Sequence, residues 1–337
     1  MNDFFPKRKF INYQISNNQI KLTNITDKTI LIHFIKIFLS IILLNLYILF
    51  FVINKFKKIN NNFQFKYEDY EKDIISHEMK YYSGWELTEQ EAYFINGIIR
   101  KNKLKRCLEI GVSNGGSSIL ILNSIKNIKN SFLVSLDLNT QLYKDPTNKT
   151  GYRVKKYFPE LTRNWKLYTG DQPHKFLVKL NIKFDFLFLD TRHSSPGEII
   201  NFIEVLPFLN ENAIIVVHDL LWHFYKRSKT GKKIYPSCIT LFHTIYGDKV
   251  LLGYYNSSIK NIGAVYLKSH QEKYYINYFL LLLNFWEYMP NKNQINDLRI
   301  FIKNYYKKEI YLKIFEKAVS YNQKFFSKIY SKKLLRL

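Results

Sequence analysis

The sequence predicts an α/β protein: a doubly wound, mostly parallel seven-stranded sheet with an antiparallel last strand, a hydrophobic helix before it and further helices after it. Three observations predict this. From Thr88 onwards short apolar runs alternate with amphipathic stretches, and most of the runs are continuously apolar, as parallel strands covered on both faces require. A glycine-rich loop follows the first run, at the kind of strand end where open α/β sheets bind ligands. The last two runs are separated by a connection too short for a parallel crossover, so they must be antiparallel neighbours.

Taken in order, a polar segment of residues 1–29 comes first. Residues Ile30–Asn54 then read ILIHFIKIFLSIILLNLYILFFVIN, with Lys36 the one formal charge. At about 1.5 Å per residue such a helix spans about 30 Å of hydrocarbon. His33, Lys36 and Ser40 share a face near one end, where Lys36 can snorkel. No small-residue cleavage site follows. The run is expected to be an uncleaved membrane anchor, with residues 55–85 as a linker; a hydrophobic helix packed on the domain or on a partner is the alternative. Lys55, Lys57, Lys58 and Lys66 follow it, against Lys21 and Lys28 close before it, which puts the C-terminal side in the cytoplasm.

Thr88 and Glu91 form a capping-box pair ahead of a helix reading AYFINGIIRK. Five β-like runs follow: Arg106–Ile110, Phe132–Asp137, Trp165–Thr169, Phe184–Asp190 and Ala213–His218. Helices are expected at Ser117–Ile128, Tyr152–Tyr157, Pro173–Leu180 and Pro196–Leu209. Ser237–Tyr246 reads as a helix, and Val250–Tyr255 and Ile262–Leu267 as strands joined by the polar Asn256–Asn261. This sets a domain over residues 86–268 and a basic, aromatic helical tail over 269–337. In the tail Ile310, Ile314, Phe315 and Ala318 fall on one face and Lys308, Lys313 and Lys317 largely off it, so the helix either lies on an anionic leaflet or packs on the domain.

The composition, 47% hydrophobic and 17% aromatic, allows a real core and excludes a disordered chain. The net charge of +24 goes with abundant Lys, Asn and Ile, the background of an AT-rich genome; where functional, it favours anionic lipid or an acidic glycan at least as much as nucleic acid. Interleaved Tyr and Lys suit single-stranded nucleic acid, but no nucleic-acid module accompanies them, which argues against that partner. Cys107 and Cys238 have no metal-ligand spacing and form no disulfide framework.

The first run ends in CLEIGVSNGGSS. Gly111, Gly115 and Gly116 let the backbone turn tightly and approach a ligand, and the following helix offers free N–H groups. A dinucleotide site would want G-x-G-x-x-G, whereas Ser113 takes the place of the second glycine and Glu109 would sit awkwardly beside a pyrophosphate. At this point the chain resembles the class I S-adenosylmethionine-dependent methyltransferases, whose first motif E/D-x-G-x-x-x-G is matched by Glu109, Gly111 and Gly115. The resemblance implies a Rossmann-like fold in which Glu109, Gly111, Ser113, Gly115 and Ser117 hold the methionine end of the cofactor. It also implies that Asp137, ending the second strand, receives the ribose hydroxyls, and that Gly170–Asp171 forms the adenine-side turn.

The fourth and fifth runs end in FLFLDTRHSSPGE and IIVVHDLLWH, each with an Asp at its carboxyl end. Buried strands seldom finish in paired carboxylates unless these are paired, hydrogen-bonded or functional. Asp190 and Asp219 can jointly bind a divalent cation such as Mg²⁺, which would lower the pKa of a coordinated hydroxyl and orient it. The arrangement is similar to the catechol-type O-methyltransferases and the related cephalosporin-biosynthesis group. It departs from the catechol type at Leu220, where that type has Asn, and at His193, where it has Lys. His218 is a substitute ligand, although its side chain should point away from that of Asp219 on an extended strand. His193 can take a proton from a substrate hydroxyl, with Asp190 beside it. Asp190, His193, Ser194, His218 and Asp219 also match a D-x-x-H-S…H-D pattern of bacterial methyltransferase domains, many linked to cell-surface carbohydrate or secondary-metabolite modification.

The expectation is thus a membrane-anchored methyltransferase, single-pass in a bacterial inner membrane with its catalytic domain cytoplasmic. It would methylate a hydroxyl of a glycan, lipid-linked or other small-molecule acceptor. A nicotinamide-dependent oxidoreductase and a non-catalytic membrane-tethered scaffold are the alternatives.

Overall fold

A computed structural model describes residues 87–143, 145–224, 235–252 and 261–334; the expected anchor at Ile30–Asn54 lies outside them. Among the described residues no helix is long and apolar enough to cross a membrane.

The first helix, α1 (Glu89–Lys101), starts at the predicted capping box: Thr88 and Glu91 exchange side-chain and backbone hydrogen bonds. Then follow β1 (Arg106–Ile110), α2 (Gly116–Ile125), β2 (Phe132–Asp137), α3 (Tyr152–Tyr157), β3 (Trp165–Thr169), α4 (Pro173–Leu180), β4 (Phe184–Leu189), α5 (Gly197–Val205), β5 (Leu209–Val217), α6 (Ser237–Thr244), β6 (Gly247–Leu251) and β7 (Gly263–Leu267). The C-terminal extension adds α7 (Tyr275–Leu280), α8 (Lys292–Tyr306) and α9 (Glu309–Leu334).

The seven strands form one sheet in the order β3-β2-β1-β4-β5-β7-β6. β1 to β5 are parallel, and β7 runs antiparallel to both β5 and β6. The chain therefore reverses direction across the sheet between β1 and β4, which opens a crevice at their carboxyl ends. Alternate residues feed two cores. Leu187 and Leu189 join the face covered by α5 and the extension, while Phe186 and Phe188 join the face covered by α1 and α2. This two-sided burial is why the strand sequences read as continuous apolar runs.

Two strands differ from expectation. β5 begins at Leu209 instead of Ala213, because the polar Asn210–Asn212 stretch continues the strand at its open amino end past a register shift against β4. β6 covers Gly247–Leu251, earlier than Val250–Tyr255: Asp248 and Lys249 are polar because this is the sheet edge, where Asp248 pairs with Lys268 at 2.7 Å. The helix expected at Pro196–Leu209 is α5 only over Gly197–Val205 and gives way to a 3-10 turn, Leu206–Phe208.

The extension shares the core of the sheet domain. Tyr278, Phe279, Trp286, Leu298, Phe301 and Phe315 are buried in the same cluster as β4, β5 and α5. The Tyr306 hydroxyl donates to the Ile203 carbonyl of α5 at 2.5 Å. Of the predicted apolar face of α9, Ile314, Phe315 and Ala318 are buried, whereas Ile310 is 46% exposed and lies off the packed stripe. Trp286→Ala is expected to cost roughly 3–5 kcal/mol in urea unfolding, and Ile300→Ala, on the exposed side of α8, no more than about 0.5 kcal/mol. Equal, small effects would mean that the extension is loosely attached.

Candidate active site

The ladder continues one residue beyond each central strand. Gly111 N donates to Leu136 O at 2.9 Å, Gly170 N to Asp137 O at 3.0 Å, Asp190 N to Ile110 O at 3.0 Å and His218 N to Leu189 O at 3.1 Å. The predicted site residues are thereby brought to one edge. At the crevice Gly111 has φ +90°, and a Cβ there would stand 1.8 Å from the Asp190 carbonyl oxygen. Only glycine fits both the conformation and the space.

The loop itself is held by two carboxylates. Asp137 Oδ2 accepts from Val112 N at 2.9 Å and Ser113 N at 3.2 Å, and Oδ1 from Asn139 N at 2.8 Å. Glu109 is fully buried beneath the loop, where its oxygens accept from Ser117 Oγ and Ser118 Oγ at 2.5 Å and from Ser135 Oγ at 2.6 Å. Burial pushes its pKa up to about 7, against the three hydroxyls, which favour the charged form. Glu109 thus braces the loop from below and is not among the residues that line the cleft.

Across the crevice, β4 and β5 deliver the acid and histidine pairs. His193 (φ +55°) and Asp219 (φ +52°) both sit in the left-handed region, a strained choice for these residues. His193 Nε2 lies 3.0 Å from Asp219 Oδ2 and 3.5 Å from Asp190 Oδ1. His218 does not point away from Asp219 as an extended strand would require. The strand stops at Val217, and the turn at Asp219 brings His218 Nδ1 within 3.3 Å of Asp190 Oδ2 and 3.8 Å of Asp219 Oδ1.

On its other side His218 Nε2 is 3.5 Å from Glu91 Oε1 of α1. Burial opposes charge on this imidazole, but Asp190, Glu91 and Asp219 outweigh it and hold its pKa well above the ordinary value. The carboxyls of Asp190 and Glu91 stay below theirs: burial pushes both up, and the neighbouring histidines outweigh it.

Three residues that matter here have no sequence signal beyond local structure. Glu91 reads as a capping residue only. Glu198, in the first turn of α5, reads as an acid at a helix start; it is buried, accepts from His193 N and from Thr191 Oγ1 (3.2 Å), and lies 3.7 Å from His193 Nδ1. Asn261, ahead of β7, donates from Nδ2 to Asp219 Oδ1 at 2.6 Å. Leu220, at the position where the catechol type has Asn, is buried core, and the amide beside Asp219 comes from another part of the chain.

One open cleft of about 1860 Å³ joins these groups: Gly111, Ser113, Ser117 and Asp137 on one side, His193, His218 and Asp219 on the other. That exceeds the roughly 300–1,000 Å³ of a single small-ligand site, so it has room for two reactants. Among the described residues two sets of donor atoms lie within 4.8 Å of one another, the set of His193, Glu198 and Cys238 and the cleft set of Asp190, His193 and Asp219. Two carboxylates and an imidazole are a chemically fitting set for a divalent cation.

Residues 108–220 match the model of a family described as a methyltransferase domain. Solved structures similar to this chain include an O-methyltransferase from Bacillus cereus in complex with SAH (15% identity, 58% of this chain and 90% of that one, TM-score 0.43). The O-methyltransferase TomG from Streptomyces achromogenes, involved in tomaymycin synthesis and in complex with SAM, is 13% identical over 58% of this chain and 90% of its own, with a TM-score of 0.43. The SAH-bound methyltransferase PaMTH1 of Podospora anserina is 17% identical, over 58% and 87%, with a TM-score of 0.42. No curated protein matches the chain. The matched stretch carries the glycine-rich loop after β1 and both strand-end acids, while Glu91, Asn261 and the extension lie outside it.

Of the remaining predicted residues, Gly115 (φ +100°) starts α2 and packs against Gly151 and Val154. Gly170 and Asp171 follow β3, but Asp171 is paired with Lys175 at 3.0 Å and its Oδ1 caps Gln172 N at 2.9 Å; the cleft wall next to them is Gln172.

Glu109 yields a prediction. A carboxyl whose folded pKa is raised from 4.5 to about 7 binds its proton more tightly in the folded state. Its contribution to stability therefore falls as pH rises from about 4.5 through 7 and then levels off. In Glu109→Gln, unfolding followed from pH 5 to 8 should lose a component on the order of 3 kcal/mol of that slope. An identical slope in the variant would place the titration elsewhere.

Proposed function

We propose that this chain is an S-adenosylmethionine-dependent methyltransferase acting on a hydroxyl oxygen. The observation that carries the reading is the single cleft at the β1/β4 crevice, where the methyltransferase-type loop faces His193, Asp190 and Asp219. Gly111, Val112, Ser113 and Ser117 line the cofactor side, and Asp137 holds Val112 and Ser113 while retaining lone pairs for ribose hydroxyls. When bound, S-adenosylmethionine supplies an electrophilic methyl carbon.

On the other side His193 Nε2 accepts the proton of the acceptor hydroxyl, and Asp219 and Asp190 stabilise the resulting imidazolium from 3.0 and 3.5 Å. Glu198 keeps the loop in the conformation that aims this ring. Asp190 and Asp219 would hold a divalent cation such as Mg²⁺, which supplies Lewis acidity towards the same hydroxyl. His218, wedged between Glu91 and Asp190, balances the acids from behind.

The apolar run Ile30–Asn54 and the lysines after it support a chain anchored at a bacterial inner membrane with the cleft in the cytoplasm, where S-adenosylmethionine is available. That placement favours a glycan or lipid-linked hydroxyl as acceptor.

Calorimetry with SAH and methyl release from labelled S-adenosylmethionine, offered with hydroxylated lipid and glycan fractions, test this. His193→Ala is expected to keep SAH affinity and lose about 10²–10⁴-fold in turnover, whereas Asp137→Ala loses SAH affinity. Strong NADH binding without SAH binding would sink the proposal. For the cation, chelator should abolish turnover and Mg²⁺ restore it; turnover indifferent to chelator removes Asp190 and Asp219 as ligands.

A further inference from the structure

The cleft has a second wall that methyl transfer leaves without a task. It forms where the loop after β4 meets the C-terminal extension. Glu287 N donates to Ser195 O at 2.8 Å, and the Tyr288 hydroxyl stands 2.9 Å from where a Cβ on Gly197 would lie. On this support the Arg192 guanidinium lies over the Tyr288 ring, 4.0 Å from its centroid.

A cation–π contact fixes the position of a guanidinium but consumes none of its N–H donors. Among the described residues the Arg192 guanidinium makes no hydrogen bond and no ion pair. Arg192 and Tyr288 both line the cleft. So does Asn201, one turn along α5 from Gly197, whose side-chain amide is also without a hydrogen-bond partner among the described residues.

The carboxylates around Tyr288 are already committed. Glu198 accepts from His193 N, Glu204 lies 2.6 Å from His174 Nδ1, and Glu287 accepts from Tyr235 N at 3.1 Å. An exposed arginine positioned by an aromatic ring, lining the same cleft as His193 and without an anion of its own, is free to receive one. Its planar fork of donors matches a phosphoryl or carboxylate group in a two-point contact.

We propose that Arg192, held on Tyr288 and assisted by Asn201, binds an oxyanion carried by the methyl acceptor. The acceptor then bears two features: the hydroxyl that faces His193, and an anionic group that anchors it against the extension. This rests on the methyl-transfer reading of the cleft, but the oxyanion site can be examined without turnover.

The test uses the full chain, with and without SAH, titrated with inorganic phosphate in one arm and acetate in another, and followed by thermal unfolding and calorimetry. At least one anion is expected to bind the wild type and to bind Arg192→Gln at least tenfold more weakly; the stronger arm identifies phosphoryl or carboxylate. Tyr288→Leu should weaken the same anion, and Tyr288→Phe, which keeps the ring, should restore it. SAH affinity should be the same in all these variants. A tenfold loss of SAH affinity in Arg192→Gln assigns the guanidinium to the cofactor and overturns the proposal, as does equal affinity of wild type and Arg192→Gln for both anions. A wild type that binds phosphate through Arg192 but does not bind SAH would keep the oxyanion site and remove the methyl-transfer reading beneath it.

Discussion

At the centre of the sheet the backbone of Gly111 runs directly over the carbonyl of Asp190, at a distance that leaves no room for even a methyl group. Much else in the cleft depends on this approach. It occurs where β1 and β4, neighbours in the sheet but far apart in the chain, send their connections to opposite sides. Because the ladder extends one residue past each strand, the loop after β1 and the loop after β4 leave the sheet from the same level. A side chain at residue 111 would push them apart and separate the loop after β1 from the His193 loop by the width of that group.

Around this contact the titratable groups form a chain in which acid and imidazole alternate: Glu91, His218, Asp190, His193, Asp219. Taking any one of them out of water alone is costly. Alternation places an imidazole beside each acid, with His218 held towards its charged form between Glu91 and Asp190, and the chain ties α1 at one end to the Asn261 segment at the other. Two non-glycine residues held at positive φ, His193 and Asp219, mark where the surroundings override the local preference of the backbone.

The C-terminal extension serves both packing and the site. Its aromatic residues complete the core on the α5 face, and the same segment carries Tyr288 to the loop that holds His193. A rigid support of this kind is what a loop with strained conformations needs.

Strand order along the chain, the two-sided burial of the strands, the loop at Glu109–Ser118 and the acids ending β4 and β5 were all legible in the sequence, because each is a property of a contiguous stretch: periodicity, glycine spacing, or a polar residue closing an apolar run. The match of residues 108–220 to a methyltransferase domain falls on that legible part. What tertiary structure decided is which atoms meet. Glu109 reads as a ligand for a cationic group but is consumed by Ser117, Ser118 and Ser135, one of them on a neighbouring strand. Asn261 reaches Asp219 across 42 residues, and Glu287 and Tyr288 reach the His193 loop across roughly ninety. His218 turns towards the acids only because the chain leaves the extended conformation at Asp219. Pairings of this kind depend on the closure of the whole sheet and its covering helices, and no local pattern in the chain encodes them.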